Sequence, residues 1–314
     1  MTKILITGSS GFIGKVLTEK LIANNYSVHA SSRNNHQHLT KGVLKFNIGE
    51  IDDKTNWEKA LAGVNCIIHC AAKTHEIQKL KKDLLNDFRK VNTKGTINLA
   101  EQASIHGVKR LIFLSSIKVN GERTSNSSSF KYDDIPNPED AYGISKWEAE
   151  QGLWQVSQRT GLEVVIIRAP LVLGYGAKGN LGRLMKLINS GIPLPLSLIK
   201  NQRSFIGIDN LIDVLFCCIN HPNAKKKTFL VSDGEDISTF DLINQIANAM
   251  GKSSRLFPIP ISVLNYVSYI LRRKNEMEKL IGSLKVDNSY TKEILNWKPS
   301  LSVAESIRRM VQDK

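Results

Sequence analysis

Apolar and polar positions alternate in blocks along the first half of the chain, where short β-branched runs are followed by longer segments with helical spacing. Two of the runs, Leu111–Leu114 and Val164–Ile167, are apolar throughout, as expected of strands buried on both faces. This alternation predicts a parallel sheet with helices on both sides. The predicted strands are Lys3–Thr7, Ser27–Ala30, Val43–Phe46, Cys66–Cys70, Arg110–Ser115 and Glu163–Arg168, and the predicted helices are Phe12–Ala23, Asn56–Leu61, Asp83–His106 and Ala141–Thr160.

The pattern changes after about residue 172, where shorter helices alternate with segments that contain proline and glycine. The helices predicted there are Leu181–Asn189, Asn210–Ile219 and Thr239–Met250. A chain of 314 residues is long enough for about two domains. We therefore predict an α/β domain with a doubly wound parallel sheet over residues 1–172. A smaller, mixed α/β lobe over residues 173–314 is expected to be interleaved with that sheet.

The composition is that of a globular protein, with 41% hydrophobic and 23% charged residues. The formal net charge of +14 favours an anionic partner, such as a phosphorylated substrate, a membrane surface or a nucleic acid. A basic surface without such a partner is the alternative. The lysine runs lack the interleaved aromatic residues of a groove for single-stranded nucleic acid. We therefore expect no nucleic-acid partner.

The chain carries no pattern typical of secretion or membrane insertion. Its N-terminus, Met1–Ile6, leads directly into a predicted strand and lacks the apolar region of a signal peptide. No apolar stretch reaches the ~18 residues of a membrane span. The cysteines, Cys66, Cys70, Cys217 and Cys218, lack the spacing of a metal site or a disulfide framework. We therefore expect no metal and a reducing, cytoplasmic location.

The segment Ile261–Leu271 is apolar and is followed by three basic residues, Arg272, Arg273 and Lys274. Burial of this segment in the C-terminal lobe is the prediction we favour. A position on a membrane surface is the alternative, because an apolar helix with a basic end suits the headgroup region of a bilayer.

Three glycines follow the first predicted strand with the spacing G-x-x-G-x-x-G. Gly8 permits a tight turn, Gly11 lets the backbone approach a pyrophosphate, and Gly14 allows close packing of the next helix. The N-terminus of that helix offers free N–H groups and a partial positive charge to phosphate oxygens. The predicted dinucleotide-binding loop comprises Gly8, Ser10, Gly11, Phe12, Ile13 and Gly14. A turn without a ligand is the alternative.

The end of the second predicted strand bears on which dinucleotide is bound. NAD sites usually place an Asp or Glu there, about 20 residues after the loop, against the ribose 2′-hydroxyl. This chain has Ala30-Ser31-Ser32-Arg33 and no carboxylate. Arg33 is suited to accept the 2′-phosphate of NADP, or to stack on the adenine without discriminating. The predicted cofactor is therefore NADP or NAD, with NADP favoured.

Tyr142 and Lys146 are spaced i and i+4 in a predicted helix, so both side chains lie on one face. A phenol has a pKa of about 10, too high for easy proton transfer at neutral pH. A nearby ammonium group and an oxidised nicotinamide would favour the phenolate, so that Tyr142 acts as general base or acid. Lys146 is also predicted to hold the nicotinamide ribose. Ser116, at the end of a predicted strand, is placed to hydrogen-bond a substrate oxygen; a local serine turn is the alternative.

Together these features resemble the extended short-chain dehydrogenases/reductases of the NAD-dependent epimerase/dehydratase family, which have a Rossmann-type fold. The resemblance covers nearly the whole chain. It rests on the segments Gly8–Gly14, His69–Ala72, Val91–Thr96, Ser115-Ser116, Tyr142–Lys146, Ile167–Pro170, Arg203–Asn210 and Leu295–Pro299. It implies a catalytic triad of Ser116, Tyr142 and Lys146. It also implies a homodimer formed through the helices predicted at Asp83–His106 and Ala141–Thr160. The further cofactor contacts that it implies are Asn47, Ile48, Ala71, Ala72 and Pro170.

Within the family, the chain is most similar to a branch of UDP-glucose and UDP-N-acetylglucosamine 4-epimerases. That branch includes bacterial 4-reductases that form UDP-N-acetylquinovosamine for surface polysaccharides. The likeness lies in Ser115–Glu122 and Phe229–Asp236. It implies that Asn180 and Arg203 face the diphosphate or base of a nucleotide sugar, since a guanidinium fork matches phosphate oxygens. A helix N-cap is the alternative role for Asn180.

Several positions depart from the family pattern. Asn47 stands where an Asp usually meets the adenine, and Lys118 and Asn120 replace a small residue and a tyrosine after the catalytic serine. The Arg-x-x-Asp pair of typical UDP-galactose 4-epimerases has no clear match near Ser283–Asp287. We include Lys118 among the predicted substrate-binding residues. These departures weaken the case for the standard epimerase substrate and leave the triad intact.

Three functions remain open. The favoured one is NAD(P)H-dependent reduction of a UDP-4-keto-6-deoxy-N-acetylhexosamine, with Tyr142 protonating the C4 oxygen and Ser116 steadying it. The second is a UDP-glucose/UDP-N-acetylglucosamine 4-epimerase that uses the same residues. Arg33 favours the reductase, because a dissociable NADP(H) suits net reduction. The third is a non-catalytic dinucleotide sensor; such proteins commonly lose the Tyr or the Lys, both of which this chain keeps.

Overall fold

A seven-stranded parallel sheet forms the centre of the protein. The computed structural model describes residues 2–33, 42–74, 81–125, 127–177 and 179–312. The strands are β1 (Lys3–Thr7), β2 (Ser27–Ser32), β3 (Val43–Asn47), β4 (Cys66–His69), β5 (Arg110–Ser116), β6 (Glu163–Ala169), β7 (Leu171–Leu173), β8 (Arg203–Gly207), β9 (Lys227–Leu230) and β10 (Asp236–Ile237). The main sheet has the order β3-β2-β1-β4-β5-β6-β9, with every neighbouring pair parallel. This Rossmann-type order places a topological switch point between β1 and β4, where such sheets bind ligands.

Helices cover both faces of the main sheet. In chain order, the helices of the main sheet and of the smaller lobe are α1 (Phe12–Ala23), α2 (Glu58–Leu61), α3 (Lys81–Phe88), α4 (Gly95–Ile105), α5 (Ala141–Thr160), α6 (Asn180–Ser190), α7 (Ile208–Asn220), α8 (Thr239–Ala249), α9 (Ile261–Ile270), α10 (Lys274–Ile281), α11 (Ser289–Leu295) and α12 (Val303–Gln312). Successive side chains of β1 point to opposite faces: Ile4 and Ile6 pack with α1 and α7, whereas Leu5 packs with α2, α4 and α5. A π-helical turn, Arg89–Lys94, joins α3 to α4, so residues 81–105 form one helical run.

A smaller lobe has its own sheet and its own core. Strand β7 pairs in parallel with β8, and β8 pairs antiparallel with β10. Helices α6, α8 and α12 close the core around residues such as Leu181, Ile243 and Ile307. These observations confirm the predicted fold class, a doubly wound parallel sheet with a smaller mixed lobe. The chain returns to the main sheet with β9, which pairs with β6 from Val165 to Arg168.

The helices and strands predicted from the pattern all form, with boundaries that agree within two residues. The prediction of Asp83–His106 as one helix did not anticipate the π-helical turn inside it. The strands β7 to β10 and the helices α9 to α12 were not predicted. These strands contain only two to five residues, too few to show a period of two.

The prediction that Ile261–Leu271 is buried is wrong. Helix α9 is buried against the lobe at Leu264 and Ser268 only. The side chains of Tyr266 and Tyr269 are 67% and 72% exposed. The reason is geometric: the helix is apolar nearly all round, but the lobe covers one narrow stripe of it.

Candidate active site

The glycine-rich turn between β1 and α1 is shaped by contacts that leave no room for side chains. Gly8 has a φ of +68°, and a Cβ at this position would lie 2.8 Å from Ala71 Cα. A Cβ on Gly14 would lie 2.2 Å from the carbonyl oxygen of Gly8, because α1 packs directly on the turn. The Gly11 N–H donates to the same oxygen at 2.9 Å, and Ser10 and Gly11 are exposed. The turn thus presents open backbone at a helix N-terminus, as phosphate sites require.

The other residues predicted to contact the dinucleotide border this turn and the neighbouring strand ends. Phe12 and Ile13 are half-buried in the first turn of α1. Ala71 and Ala72 are half-buried directly after β4. Pro170 is buried between β6 and β7. All five therefore lie shortly after the carboxyl ends of parallel strands.

The ends of β2 and β3 carry the residues predicted to meet the adenosine. Arg33 follows β2 and is exposed. The exposed Asn47 ends β3, and its side-chain oxygen accepts from the Gly49 N–H at 3.2 Å. The N–H of the half-buried Ile48 donates to the Ser32 carbonyl at 3.2 Å. The glycine turn, which a Cβ would fill, together with these strand ends fits a dinucleotide laid across β1, β2 and β3.

A buried chain of hydrogen bonds fixes the strand ends on either side of the switch point. Each ring nitrogen of His69 has a partner: Nδ1 lies 2.6 Å from Thr7 Oγ1, and Nε2 lies 2.9 Å from Thr96 Oγ1. The Ala71 N–H donates to Thr7 Oγ1, and the Thr96 hydroxyl donates to the Asn92 carbonyl. This network assigns the Nε2–H tautomer, with Thr7 donating to Nδ1. Burial lowers the pKa of His69 to about 3, so the ring stays neutral near pH 7.

Ser116, Tyr142 and Lys146 gather at the carboxyl end of β5. Ser116 ends the strand, and its Oγ accepts from the Lys118 N–H at 3.3 Å, which is the serine turn weighed above and leaves the hydroxyl proton available. Lys146 is buried, and its Nζ donates to the Leu114 carbonyl at 2.7 Å. Tyr142 lies one turn earlier on α5. Within the described ranges its hydroxyl has no hydrogen-bond partner, so it is available to a substrate.

Burial shifts the pKa values of both titrating groups of the triad. Burial lowers the pKa of Lys146 to about 7, against the opposing effect of Glu150. Burial raises the pKa of Tyr142 to about 12, and the cation that opposes this shift is Lys118, not Lys146. Desolvation of the phenolate thus outweighs the nearby positive charge of Lys118. The predicted fall of this pKa also depends on an oxidised nicotinamide, and it stays a prediction. At neutral pH the phenol carries its proton.

Comparison with known proteins agrees with this geometry. Residues 4–232 match the NAD dependent epimerase/dehydratase family. The chain belongs to this family. It is 42% identical over 311 residues to the "UDP-glucose 4-epimerase" of Vibrio cholerae, covering 98% of this chain and 94% of that one.

Two further comparisons are more distant. The chain is 27% identical over 290 residues to the "N-acetyl-alpha-D-glucosaminyl-diphospho-ditrans,octacis-undecaprenol 4-epimerase" of Escherichia coli O157:H7, covering 90% of this chain and 84% of that one. The crystal structure of a UDP-glucuronic acid 4-epimerase from Bacillus cereus in complex with NAD has a TM-score of 0.79 and 21% identity, covering 99% of this chain and 96% of that chain. At this identity the structural match shows a shared fold.

A buried ion pair behind the triad of this epimerase/dehydratase-family enzyme was missed by the sequence analysis. Arg168 on β6 donates to both carboxylate oxygens of Glu150 on α5 at 2.6–3.2 Å, and the Ser115 hydroxyl donates to the same carboxylate at 2.5 Å. Arg168 also donates to Asn120 Oδ1 at 3.0 Å. The network joins α5, β5 and β6, the elements that carry the triad. The one sign of this ion pair in the sequence is Arg168 itself, a charged residue at the end of a predicted strand with an apolar interior.

Asn92 is a second residue to which the sequence analysis gave no role. It lies in the π-helical turn, and such turns are frequent at functional sites. Its amide nitrogen donates to Ser145 Oγ and to the Lys73 carbonyl, both at 3.0 Å, and its oxygen accepts from the Lys73 N–H at 2.8 Å. Ser145 lies between Tyr142 and Lys146, the two predicted catalytic residues of α5. Asn92 therefore ties this helix to the segment that follows β4.

Lys118, predicted to bind substrate, is engaged with carboxylates. Its Nζ pairs with Asp140 and, at 3.0 Å, with Glu122, and it lies 6.0 Å from the centre of the Tyr142 ring. Burial lowers the pKa of Lys118, but the two carboxylates outweigh burial and raise it overall. Lys279 joins the cluster at 3.4 Å from Glu122. The charge of Lys118 is thus largely compensated within the protein, and the side chain is fixed beside Tyr142.

The structure separates the other two predicted substrate residues. Arg203 is half-buried, and its NH1 donates to the Lys279 and Gly282 carbonyls at 2.8 and 2.9 Å, which places it beside the Lys118 cluster. Asn180 is exposed, accepts from Arg183 at 2.8 Å, and within the described ranges makes no hydrogen bond or ion pair with Arg203. The N-cap of α6 is Gly179, so the alternative role of Asn180 as an N-cap is wrong.

Two further predictions concern metal sites and membrane spans, and the structure bears on both for the part of the chain that it describes. It contains no group of three or more His, Cys, Asp or Glu side chains arranged to hold a metal ion, and its four cysteines are free thiols. Among the same residues, no helix combines the length and apolarity needed to cross a membrane.

Proposed function

We propose that this protein is a 4-epimerase that acts on a UDP-linked hexose. The observation that carries the proposal is the gathering of Ser116, Tyr142 and Lys146 at the carboxyl end of β5, on the same edge of the sheet as the open glycine turn. The UDP-glucose 4-epimerase of Vibrio cholerae supports it, since the similarity extends over 98% of this chain. UDP-glucose is therefore the first substrate to test.

In this proposal each triad residue has one task. When bound, an oxidised nicotinamide would accept the hydride from C4 and would supply positive charge that favours the Tyr142 phenolate. Tyr142 takes the proton of the C4 hydroxyl and later returns it, while the Ser116 hydroxyl donates to the C4 oxygen. Lys146, held by the Leu114 carbonyl at 2.7 Å, would contact the nicotinamide ribose. Between the two proton transfers of Tyr142 the sugar would turn in the site, which would invert C4.

A second candidate is the reduction of a UDP-4-keto-6-deoxy-N-acetylhexosamine. The observation that favours it is Arg33, which is exposed directly after β2 in a segment without a carboxylate. Such an arginine suits the 2′-phosphate of NADP, and a dissociable NADPH suits net reduction. We rank the epimerase first because the similarity to the Vibrio cholerae protein covers the substrate lobe as well as the nucleotide half.

The two candidates differ in their cofactor balance. With UDP-glucose or UDP-N-acetylglucosamine and catalytic NAD, we expect the C4 epimer to form without net change at the nicotinamide absorbance band. Stoichiometric loss of that absorbance with UDP-4-keto-6-deoxy-N-acetylglucosamine and NADPH, without any epimer from the first two sugars, would establish the reductase and contradict the epimerase. The Tyr142→Phe variant serves as the control, because it should be inactive in both assays.

Cofactor choice is tested separately through Arg33. We expect Arg33→Ala to weaken NADP binding by about tenfold or more and to leave NAD binding unchanged, since it removes a partner of the 2′-phosphate. Lys109→Ala is the matched control, because Lys109 is exposed but precedes β5 at the opposite edge of the sheet. Equal losses for NAD and NADP in Arg33→Ala would show that this arginine does not discriminate between them.

A further inference from the structure

The exposed apolar side chains of this protein are concentrated in one region of the C-terminal lobe. Of the seventeen large hydrophobic side chains exposed among the described residues, eleven lie in the segments 187–198 and 257–271. The two segments are neighbours in space, because the Leu194 N–H donates to the Arg255 carbonyl and the Phe257 N–H donates to the Leu194 carbonyl. Contiguous exposed apolar surface of this kind marks a site of interaction. We call the exposed residues of α9 with Ile192, Leu198 and Phe257 the apolar patch.

Helix α9 forms most of the apolar patch. Eight of its ten residues are exposed, including Tyr266 at 67%, Tyr269 at 72% and Ile270 at 59%. Tyrosines of this kind favour a membrane–water interface, where the ring is in apolar surroundings and the hydroxyl meets water. Ten residues at 1.5 Å each span about 15 Å, half the thickness of a bilayer core. The helix is therefore suited to lie in a membrane surface and too short to cross it.

The positive charge around the apolar patch indicates which kind of partner surface binds to it. The sequence contains no Asp or Glu from 164 to 208 or from 242 to 275, which are the stretches that include the patch. Exposed basic residues flank it, among them Lys200, Arg255 and Arg272. A second copy docked on the same patch by a two-fold axis would bring this positive charge against itself. An anionic lipid surface complements it instead.

We propose that the apolar patch docks this enzyme on an anionic phospholipid surface. The patch lies on the C-terminal lobe, next to a cavity of about 370 Å³ between α9 and α10 that is lined by Asn265 and Tyr269 on one side and by Arg123 and Glu278 on the other. The proposal rests on the surface alone and goes beyond the reaction proposed above.

The test is sedimentation of the full chain with lipid vesicles. We expect the protein to pellet with vesicles of phosphatidylcholine and phosphatidylglycerol, but weakly or not at all with phosphatidylcholine alone. Raising the salt to ~1 M, where the Debye length is about 3 Å, should release much of it. The variant Tyr266→Ser/Ile270→Ser should lower the apparent affinity for the anionic vesicles by about tenfold, or ~1.4 kcal/mol. The variant Arg255→Glu/Arg272→Glu should do the same and should lose the salt dependence.

A matched control keeps the test specific. Ile105→Ser/Ile135→Ser removes two isoleucines that are 80% and 89% exposed but lie outside both segments, and it should bind vesicles like the unmodified chain. All variants should keep the circular dichroism spectrum and the enzymatic rate on soluble substrate. The proposal is overturned if the unmodified chain stays in the supernatant with anionic vesicles, or if the control loses binding equally. It is also overturned if light scattering shows that Tyr266→Ser/Ile270→Ser dissociates an oligomer while vesicle binding is absent.

Discussion

Replacing Glu150 by glutamine tests whether the buried ion pair behind the triad carries the stability of the catalytic half. The substitution keeps the shape of the side chain and removes its charge. Glu150 is fully buried and Arg168 is 4% exposed, so the guanidinium would be left in the interior with a neutral partner. Removing one member of such a pair typically costs about 3–5 kcal/mol. We therefore expect a loss of that size in the free energy of unfolding.

The same helix offers a control two residues away. Glu148 pairs with Arg89 at 2.5 Å, but its side chain is 30% exposed and that of the arginine 40%. Solvent screening reduces such pairs to about 0.2–1 kcal/mol, so Glu148→Gln should be nearly neutral. Urea unfolding followed by tryptophan fluorescence measures both variants, and Trp147, whose ring lies 5.8 Å from the Arg168 guanidinium carbon, is placed to report on the pair.

Two results would refute this reasoning. The first is a cost for Glu150→Gln that equals the cost for Glu148→Gln, since burial would then have no effect on the pair. The second is a double variant, Glu150→Leu/Arg168→Met, that is less stable than Glu150→Gln alone. Removing both charges should recover part of the loss, because an apolar pair of similar volume leaves no uncompensated buried charge.

Three further predictions concern the site itself. Tyr142→Phe should lower turnover by about 10²–10⁴-fold while NAD titration by fluorescence shows nearly unchanged affinity; normal turnover would remove Tyr142 from the mechanism. The pKa of His69 is about 3 in the folded protein and 6.5 ordinarily. Between pH 6.5 and about 3 the unfolded chain therefore binds a proton at His69 that the folded protein does not, so the free energy of unfolding falls as the pH drops through this range. At pH 5 this amounts to about 2 kcal/mol relative to pH 8, and His69→Gln should lack it in urea titrations at the two pH values; an unchanged difference would contradict the assignment. Gly14→Ala should abolish measurable NAD binding in calorimetry, because its Cβ would lie 2.2 Å from the Gly8 carbonyl oxygen; retained affinity would show that the turn is able to shift.

Much of the predicted dinucleotide-binding region was predictable because the patterns that indicate it are local in the sequence. The glycine spacing, the strand before it and the helix after it are contiguous, and the structure places Gly8, Gly11 and Gly14 in the predicted turn. Tyr142 and Lys146 are separated by one helical turn, so a helix alone brings them to one face. Ser116 joins them because β5 ends beside α5, which the alternation of elements already implied.

The buried hydrogen bonds and ion pair next to the triad join residues that are far apart in the sequence, so no local pattern predicts them. Glu150 and Arg168 are 18 positions apart, on a helix and a strand whose contact depends on how α5 packs over the sheet. Asn92 meets Ser145 across 53 positions. Burial is likewise absent from any local pattern, and it raises the pKa of Tyr142 against the opposing charge of Lys118.

Helix α9 shows the reverse problem. Its residues are as apolar as those of a buried helix, so composition alone favoured burial. An apolar sequence indicates that burial of the segment is favourable. Whether the segment is buried depends on how much of it the neighbouring elements cover. Here the lobe covers Leu264 and Ser268 and leaves the rest exposed.

The position of β9 in the main sheet affects how the protein is made. β9, the outer neighbour of β6, is translated only after residue 226, although β6 itself ends at Ala169. Until then the outer edge of β6, with its unpaired N–H and C=O groups, lacks its neighbour for several seconds at about 5–20 residues per second. The unpaired edge of an apolar strand is prone to pair with other chains. Release of a nascent chain that stops near residue 172 should therefore yield aggregates, and chaperone demand during synthesis should fall once residue 230 has left the exit tunnel.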